Sequence, residues 1–386
     1  MFKKPKIDKH HFYLIFPNIF DFKGGIQVYS IFLLKALQNL YPEGEYNVFL
    51  KYDKHNLRRP QNLQFLTSTI FHYFGDLPRL LQPILFATKI ILSAIFIRPT
   101  VVISTHVNYA IACYVLKLLT GTPYWVVAHG LEVWDIQNNV TKLALKKADK
   151  IVSVSNYTRH RLLEDISIDS DKIVILPNTF DANKFKINPK PPYLLERYNL
   201  TSEQPVILTV TRMGRMAKYK GYDQILQALI KVRLHIPNVR FILAGKGDDL
   251  PRINALVSSL NLQDCVTIAG FIPDEELCAY YNLCDVFALP SKGEGFGIVY
   301  LEALACGKPV LAGNGDGSID PLAEGELGCL VHPDNVEEIA DNLIQILQGN
   351  CSNPVVYQAE YLQKRTIEAF DFSHFNATLA KLISGH

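Results

Sequence analysis

The hydrophobic positions of this chain form short continuous runs that alternate with longer segments of helical periodicity. Segments 26–40, 109–119 and 156–165 have the spacing of amphipathic helices. This alternation is typical of doubly wound α/β domains built on parallel sheets. The apolar runs predict strands at 12–16, 47–50, 101–104, 124–128, 150–154 and 172–176, and then at 205–210, 240–244, 265–269, 285–289, 309–312 and 328–331.

A proline-rich segment divides these elements into two halves. Three prolines fall within residues 185–193, which is typical of a linker. A chain of 386 residues also exceeds the size of one typical core. We therefore expect two Rossmann-like domains, whose ligands collect at the carboxyl ends of the strands. The expected boundaries are an N-terminal domain at 1–185, a linker at 186–204, a C-terminal domain at 205–370 and a final helix at 371–386.

Composition indicates a folded globular protein. Hydrophobic residues make up 48% of the chain and charged residues 20%. The seven cysteines include no Cys-x-x-Cys pair, which favours buried thiols in a reducing compartment over disulfides or a zinc site. The basic start of the chain lacks a small-residue cleavage site, so we expect no signal peptide and a cytoplasmic location.

Charge is unevenly distributed along the chain. Residues 1–185 carry 22 Lys and Arg against 14 Asp and Glu, whereas the remainder carries 17 against 23. The basic half predicts an anionic partner, either membrane lipid or an acidic acceptor, although ordinary variation in surface charge is an equal alternative. The apolar stretch 80–97 is interrupted by Pro83 and Lys89. A helix packed on a sheet is the favoured interpretation, with a membrane-touching face second and a membrane span third.

The segment 290–310 is the most informative part of the chain. It follows a predicted strand, contains three alternating glycines up to Gly297, and leads into a predicted helix at 298–305. Glycines allow close approach of the backbone to a ligand, and a helix N-terminus favours anions such as phosphate. Glu294 and Glu302, eight positions apart, frame this anion site and are suited to accept hydrogen bonds from sugar hydroxyls.

Other candidate groups follow other predicted strands. The loop 211–221 carries Arg212 and Lys220, with Arg215 and Lys218 as rivals, and is suited to cradle a diphosphate. A solvated basic loop is the alternative. His129 directly follows a buried strand, where a histidine is a candidate active-site group. No Asp-x-Asp cluster follows a strand, and the Gly-x-Gly turn at 245–247 lacks the third glycine of a dinucleotide site, which argues against a dehydrogenase.

The Glu-x7-Glu segment with its intervening Gly-Phe-Gly resembles the signature of the retaining nucleotide-sugar glycosyltransferases of family four, which have the GT-B fold. The resemblance implies an α/β fold of two Rossmann-like domains facing a central cleft, with the final helix crossing back to the first domain. It covers most of the chain and is strongest from about residue 205 to 335.

The resemblance also implies roles for individual residues. Arg212 and Lys220 would neutralise the diphosphate, Glu302 would accept hydrogen bonds from the ribose, and His129 would lie near the transferred sugar. The expected catalytic residues are His129, Arg212, Lys220 and Glu294. The remaining donor-binding residues would be Gly25 in a Gly-Gly loop near the phosphates, Gly245 and Phe271 in turns of the second domain, and Glu294, Gly295, Phe296, Gly297 and Ile298 around the sugar.

The expected activity is metal-independent transfer of a hexose, with retention, from a UDP- or GDP-linked sugar to a hydroxyl of a glycan or lipid-linked acceptor. We expect this reaction to serve cell-surface polysaccharide or glycolipid synthesis. We expect no cofactor, no metal and no nucleic-acid partner, and peripheral contact with the inner face of the membrane through the basic N-terminal domain. Two alternatives stay open. They are a nucleotide-sugar epimerase or phosphorylase of the same fold, and a non-catalytic nucleotide-sugar-binding subunit of a glycan-assembly complex.

Overall fold

The computed structural model describes residues 10–21, 24–57 and 63–384, and these divide into two units. The first unit contains the chain up to Pro177 and again from Phe375 onward. The second unit spans the residues between, from Asn178 to His374. The segment 186–204, predicted as a linker, lies within the second unit and contains a helix. The N–H of Asn188 in this segment donates to Asn282 Oδ1 at 2.8 Å.

The first unit is built on one parallel sheet. Seven strands are described, in the order β3-β2-β1-β4-β5-β6-β7, so the order reverses between β1 and β4. Parallel sheets need crossover helices on their faces, which the chain supplies between successive strands. The elements are β1 (His11–Phe16), α1 (Gly25–Leu40), β2 (Glu45–Leu50), β3 (Thr69–Tyr73), α2 (Gln82–Ile97), β4 (Val101–Ser104), α3 (Ala110–Thr120), β5 (Tyr124–Ala128), α4 (Asn139–Lys147), β6 (Lys150–Ser153), α5 (Asn156–Asp165) and β7 (Ile173–Ile175).

The second unit repeats this plan with six described strands. Their order is β10-β9-β8-β11-β12-β13, with a reversal between β8 and β11. The final helix α13 belongs to the first unit from Phe375 onward, and the Phe375 ring lies edge-on to Tyr29 with centroids 5.5 Å apart. The elements are α6 (Pro192–Tyr198), β8 (Val206–Val210), α7 (Tyr222–His235), β9 (Arg240–Ala244), α8 (Leu250–Ser259), β10 (Val266–Gly270), α9 (Asp274–Leu283), β11 (Val286–Leu289), α10 (Ile298–Ala305), β12 (Val310–Gly313), β13 (Cys329–Val331), α11 (Val336–Leu347), α12 (Ala359–Phe370) and α13 (Phe372–Ser384).

Each sheet is covered by helices that bury an apolar face. In the first unit, Phe86 and Ile90 of α2 and Cys113 of α3 pack with Val102 and Val126 of the sheet in one buried cluster. Complete burial of a side chain of this size stabilises the fold by about 1.5–3 kcal/mol. These contacts hold α2 and α3 against the same face of the sheet. They confirm that most of the 80–97 stretch forms a helix whose inner side packs on the sheet.

Local signals define where several helices begin and end. Asn138 accepts hydrogen bonds from the N–H groups of Val140 and Thr141 at the start of α4, and Ser155 caps α5 in the same way. Within the described residues, none of these helices combines the length and hydrophobicity needed to span a bilayer. The predicted α/β fold with two Rossmann-like domains is confirmed.

Candidate functional site

The reversal of strand order in the second unit places two predicted motifs side by side. Strands β8 and β11 are neighbours, with Val286 paired to Ile207 and Phe287 to Leu208. The basic loop follows β8 and the glycine loop follows β11, so both loops start from the carboxyl edge of the sheet. Ligands of open α/β sheets bind at such a reversal.

An ion pair connects the two loops. Lys220 Nζ donates to Glu294 Oε1, and the two side chains are only 15% and 13% exposed. The sequence predicted both residues as catalytic but did not predict that they contact each other. The ammonium group and the carboxylate therefore neutralise one another in a largely buried position.

Glycines permit the close approach of these loops. A side chain at Gly221 would come within 2.2 Å of the Pro290 carbonyl oxygen, and one at Gly293 within 2.6 Å of the Tyr219 ring. The Lys292 N–H also donates to the Tyr219 carbonyl at 2.9 Å. A larger residue at Gly221 or Gly293 would therefore require one of the two loops to move.

The glycine loop ends at the N-terminus of α10. Gly297 occupies the N-cap with φ of 92°, a conformation that favours glycine, and no side chain caps this end. Its backbone N–H groups and the helix dipole favour an anion there. Ile298 is the first helical residue, as predicted. The Phe296 side chain is buried against Phe370 with ring centroids 5.5 Å apart, so only its backbone is available to a ligand.

Glu302 is held by a tyrosine that the sequence analysis missed. The Tyr281 hydroxyl, on α9, donates to Glu302 Oε2 at 2.7 Å. Tyr281 is fully buried, so it restricts the carboxylate of Glu302 to one position about one turn into α10. No signal in the sequence links these two residues, because they lie on separate helices.

A buried aspartate holds the glycine loop from the other side. Asp316 Oδ2 accepts the N–H of Glu294 at 2.6 Å, and Oδ1 accepts the N–H of Ser318 at 2.9 Å. Burial raises the pKa of Asp316 to about 6. The Gly317 N–H donates to the Glu294 carbonyl at 2.8 Å, and a side chain at Gly317 would lie 2.2 Å from the Gly295 carbonyl oxygen. The segment that follows β12 thus positions Glu294. Its Asn-Gly-Asp-Gly-Ser sequence after a predicted strand is the signal that could have revealed this role.

Arg212 is placed in the same basic loop but stands apart from the ion pair. Its side chain is exposed and forms no ion pair with any described residue. The rivals Arg215 and Lys218 are exposed as well. The structure therefore brings Lys220, but not Arg212, into contact with Glu294.

The predicted turns after β9 and β10 lie next to each other. Gly245 has φ of 141°, donates its N–H to the Gly270 carbonyl at 2.7 Å, and has no room for a side chain because Thr211 lies against it. Phe271 is 58% exposed, and the Lys246 ammonium lies 4.4 Å from its ring centroid. Lys246, in the turn after β9, is a further cation that the sequence analysis did not select.

In the first unit, His129 follows β5 and is held in a neutral state. Its backbone N–H donates to Glu132 Oε1 at 2.5 Å, and its ring lies edge-on to Tyr29 with centroids 5.0 Å apart. Burial, with a smaller contribution from His106, lowers the pKa of His129 to about 3. The ring is therefore uncharged at neutral pH, and its buried Nε2 makes no hydrogen bond to any described residue.

The Gly-Gly loop after β1 is described only in part. Gly25 is the first residue of α1, with Gly24 at the N-cap and no capping side chain. Phe22 and Lys23, which belong to the same predicted motif, lie outside the described residues. Among those that are described, no group of three or more His, Cys, Asp or Glu is arranged to hold a metal ion.

Comparison with curated proteins identifies relatives among sugar transferases. The chain is 33% identical over 223 residues to the GDP-mannose-dependent α-(1-6)-phosphatidylinositol monomannoside mannosyltransferase of Mycolicibacterium smegmatis, over 55% of this chain and 57% of that protein. It is 26% identical over 299 residues to the α-maltose-1-phosphate synthase of the same organism, covering 71% and 76%. The chain thus matches little more than half the length of the first of these relatives.

Solved structures show the same fold over nearly the whole chain. The sucrose-phosphate synthase of Thermosynechococcus elongatus superposes with a TM-score of 0.82 at 20% identity, covering 98% of this chain and 99% of that one. The Anabaena protein HepE, solved in complex with UDP, gives a TM-score of 0.79 at 18% identity, covering 98% and 100%. At these identities the likeness establishes the fold.

Family models cover both units. Residues 23–184 match the model described as Glycosyltransferase Family 4, and residues 195–365 match the model described as Glycosyl transferases group 1. The first match contains His129, and the second contains Arg212, Lys220, Glu294 and Glu302. The chain belongs to glycosyltransferase family four and has the GT-B fold.

Proposed function

We propose that this protein is a retaining glycosyltransferase that moves a hexose from a UDP- or GDP-linked sugar to a hydroxyl of a glycan or lipid-linked acceptor. The observation that carries the proposal is the Lys220–Glu294 pair beside the uncapped N-terminus of α10. It combines a cation, a carboxylate and a helix N-terminus, which are the groups that a sugar diphosphate requires. A relative 33% identical to the chain is named as a GDP-mannose-dependent mannosyltransferase, which supports a nucleotide-sugar donor.

In the proposed reaction, the bond between the anomeric carbon and the diphosphate oxygen breaks. Positive charge develops on the sugar and negative charge on the diphosphate. Lys220, Arg212 and the N–H groups at the start of α10 stabilise the negative charge where it develops, which is the largest catalytic contribution that these groups can make. These groups take the place of a divalent metal ion, and the reaction requires no cofactor.

Retention follows from a front-face reaction. The acceptor hydroxyl attacks the anomeric carbon from the side that the diphosphate leaves, and its proton passes to the departing diphosphate oxygen. The hydrogen bond from its N–H to Asp316 positions Glu294, which serves as an acceptor for the sugar hydroxyls. It is not a nucleophile, because a front-face reaction forms no covalent bond between the sugar and the protein. His129 lies in the first unit, to which we assign the acceptor, and because it is neutral it contributes a hydrogen bond rather than a charge.

The proposal is tested by donor binding followed by product analysis. UDP-, GDP- and ADP-sugars are screened by thermal shift, and a donor at about 100 times its dissociation constant should stabilise the fold by ~2.7 kcal/mol. The selected donor is then incubated alone, with inorganic phosphate and with sugar acceptors, and NMR of the product gives the anomeric configuration. A new glycoside with the donor's configuration supports the proposal. An epimerised donor would contradict the proposal and indicate an epimerase, and a sugar phosphate would indicate a phosphorylase. Binding without turnover would indicate a non-catalytic nucleotide-sugar-binding subunit.

A further inference from the structure

Three helices on one face of the first sheet expose apolar side chains. Helix α2 buries Phe86, Ile90 and Ala94 in the core, yet its other side is also apolar. Helix α2 contacts α3, and α3 contacts α4, so their outer sides form one continuous area, here called the α2–α4 surface. Its exposed large apolar residues are Leu81, Ile84, Leu85, Leu92, Ile95, Phe96 and Ile97 on or beside α2, Val115, Leu118 and Leu119 on α3, and Val140 and Leu143 on α4.

The exposure of these side chains is large. Phe96 is 84% exposed, Leu118 66% and Ile84 64%. Single exposed apolar residues are common on soluble proteins, but contiguous patches of this kind mark interaction sites. The inner sides of the same helices fill the core, so the exposed side chains of the α2–α4 surface are available to a partner.

The charges on the three helices of this surface have one sign. From residue 77 to residue 131 the sequence contains no Asp or Glu, and α4 contains none either. Exposed cations lie on and beside the helices, at Arg79, Lys89, Arg98, Lys146 and Lys147. The carboxylates that flank these helices in sequence all have partners. Asp149 pairs with Lys117 of α3 at 2.7 Å and Asp135 with Arg161 at 2.9 Å, while Asp76 and Glu132 accept backbone N–H groups.

We propose that the α2–α4 surface docks on an anionic lipid bilayer. Apolar side chains mixed with lysine and arginine, without carboxylates, are the combination that an acidic headgroup layer over hydrocarbon attracts. Helix α2 has 16 residues and packs along the sheet, so it lies in the interface instead of crossing the membrane. A protein partner of similar size would be expected to meet carboxylates as well as cations, and the charged residues of α2, α3 and α4 are all lysines.

The proposal goes beyond the transferase reaction and does not depend on it. Binding is measured by co-sedimentation of the full chain with vesicles of phosphatidylcholine alone and of phosphatidylcholine mixed with phosphatidylglycerol. The apolar test variant is Leu92→Ser with Phe96→Ser, and the charge test variant is Lys146→Glu with Lys147→Glu. Matched controls are Ile230→Ser with Leu234→Ser, two exposed apolar residues of α7 in the other unit, and Lys381→Glu on α13.

We expect binding to mixed vesicles that weakens with salt, and little binding to phosphatidylcholine alone. Each double variant of the α2–α4 surface should reduce the partition coefficient by about ten-fold or more, while its control leaves it unchanged. Circular dichroism and the melting temperature verify that every variant is folded.

Three results would overturn the proposal. One is a folded wild-type chain that binds neither vesicle. Another is equal loss of binding in the test and control variants, which would place the contact elsewhere, for example at the basic start of the chain. The third is a chain that self-associates in sedimentation velocity through Leu92 and Phe96 without binding vesicles, which would make the surface an interface between copies. Because vesicle binding is read without donor or acceptor, none of these results bears on the proposed reaction.

Discussion

The ammonium group of Lys220 is paired with the carboxylate of Glu294, although 74 residues separate them along the chain. The pair forms because β8 and β11 are neighbours at the reversal of the second sheet. It also brings opposite charges together in the loops where we propose that the donor binds. Donor binding would therefore give each group a new partner, with Lys220 serving the diphosphate and Glu294 the sugar.

We predict that Lys220→Ala and Arg212→Ala each reduce the transfer rate by roughly 10²–10³, because both remove charge that stabilises the departing diphosphate. Their effects on the melting temperature should differ. Lys220→Ala should lower the melting temperature, because it leaves the mostly buried Glu294 without its cation. Arg212→Ala should leave the melting temperature unchanged, because it removes an exposed side chain. Lys218→Ala in the same loop is the matched comparison. Near-normal turnover in both the Lys220 and Arg212 variants would contradict the diphosphate assignment.

Metal removal gives an independent prediction. If Lys220, Arg212 and the N-terminus of α10 supply the positive charge, transfer should persist in excess EDTA at the rate seen before treatment. The assay is run with the donor that thermal shift selects, and the EDTA-treated enzyme is then supplied with magnesium or manganese. Complete loss of activity that either ion restores would show that the proposed reaction needs a metal.

Asp316 predicts an acid limb in the pH profile. Its carboxylate holds the N–H of Glu294, and burial raises its pKa to about 6. As the pH falls through about 6, protonation weakens this hydrogen bond, so kcat/KM should decline although the fold persists. Asp316→Asn should lower kcat/KM by about ten-fold at pH 8, a loss typical of one charged hydrogen bond, and should remove the limb. The control is Asp334→Asn, an exposed carboxylate that pairs with Lys292.

The stability of Asp316→Asn relative to wild type should also depend on pH. Loss of the carboxylate should lower kcat/KM at high pH, but it should raise stability there. The folded-state pKa of Asp316 lies above its usual value of 3.8, so the contribution of this group to stability is full below 3.8 and is lost as the pH rises through about 6. Relative to wild type, Asp316→Asn should therefore be more stable at pH 8 than at pH 3.5, as measured by urea denaturation.

For the pH profile of kcat/KM, an acid limb that persists in Asp316→Asn would show that another group causes it.

Most of the fold could be predicted because buried parallel strands are continuous apolar runs. Strand β5 (Tyr124–Ala128) and helix α10 (Ile298–Ala305) occur at the predicted residues. Strand β3 (Thr69–Tyr73) was missed. It lies at the sheet edge with Ile70 more than half exposed, and its mixed Thr-Ile-Phe-His-Tyr sequence lacks the apolar run of a central strand.

The candidate site could be predicted only where one segment carries the whole signal. Glu294 and the glycines up to Gly297 stand in one loop, so their proximity follows from the sequence. The hydrogen bonds of Tyr281 to Glu302 and of Asp316 to Glu294 join separate elements, and their partners depend on the packing of α9 and on the strand order. Such contacts leave no local pattern to detect.

The two glutamates should have separable roles. Glu294 lies in the glycine loop and is paired with Lys220, whereas Glu302 lies within α10 and is held by the hydroxyl of Tyr281. We predict that Glu302→Gln weakens binding of the bare nucleoside diphosphate, because the ribose loses a carboxylate acceptor worth about 1.5–3 kcal/mol. Glu294→Gln should leave that binding nearly unchanged. It should instead depress transfer and reduce discrimination between sugars that differ at one hydroxyl.

Tyr281→Phe is the matched variant for this prediction, since it removes only the hydroxyl that orients Glu302. Its nucleotide binding should weaken in the same direction as in Glu302→Gln, but less, while the preference among sugars stays as in wild type. Isothermal titration calorimetry with the nucleoside diphosphate alone measures all three variants. Equal losses at Glu294 and Glu302 would indicate a shared acidic pocket without separate roles. A loss confined to Glu294→Gln would exchange the two assignments, because the carboxylate beside Lys220 would then bind the nucleotide and the one held by Tyr281 the sugar.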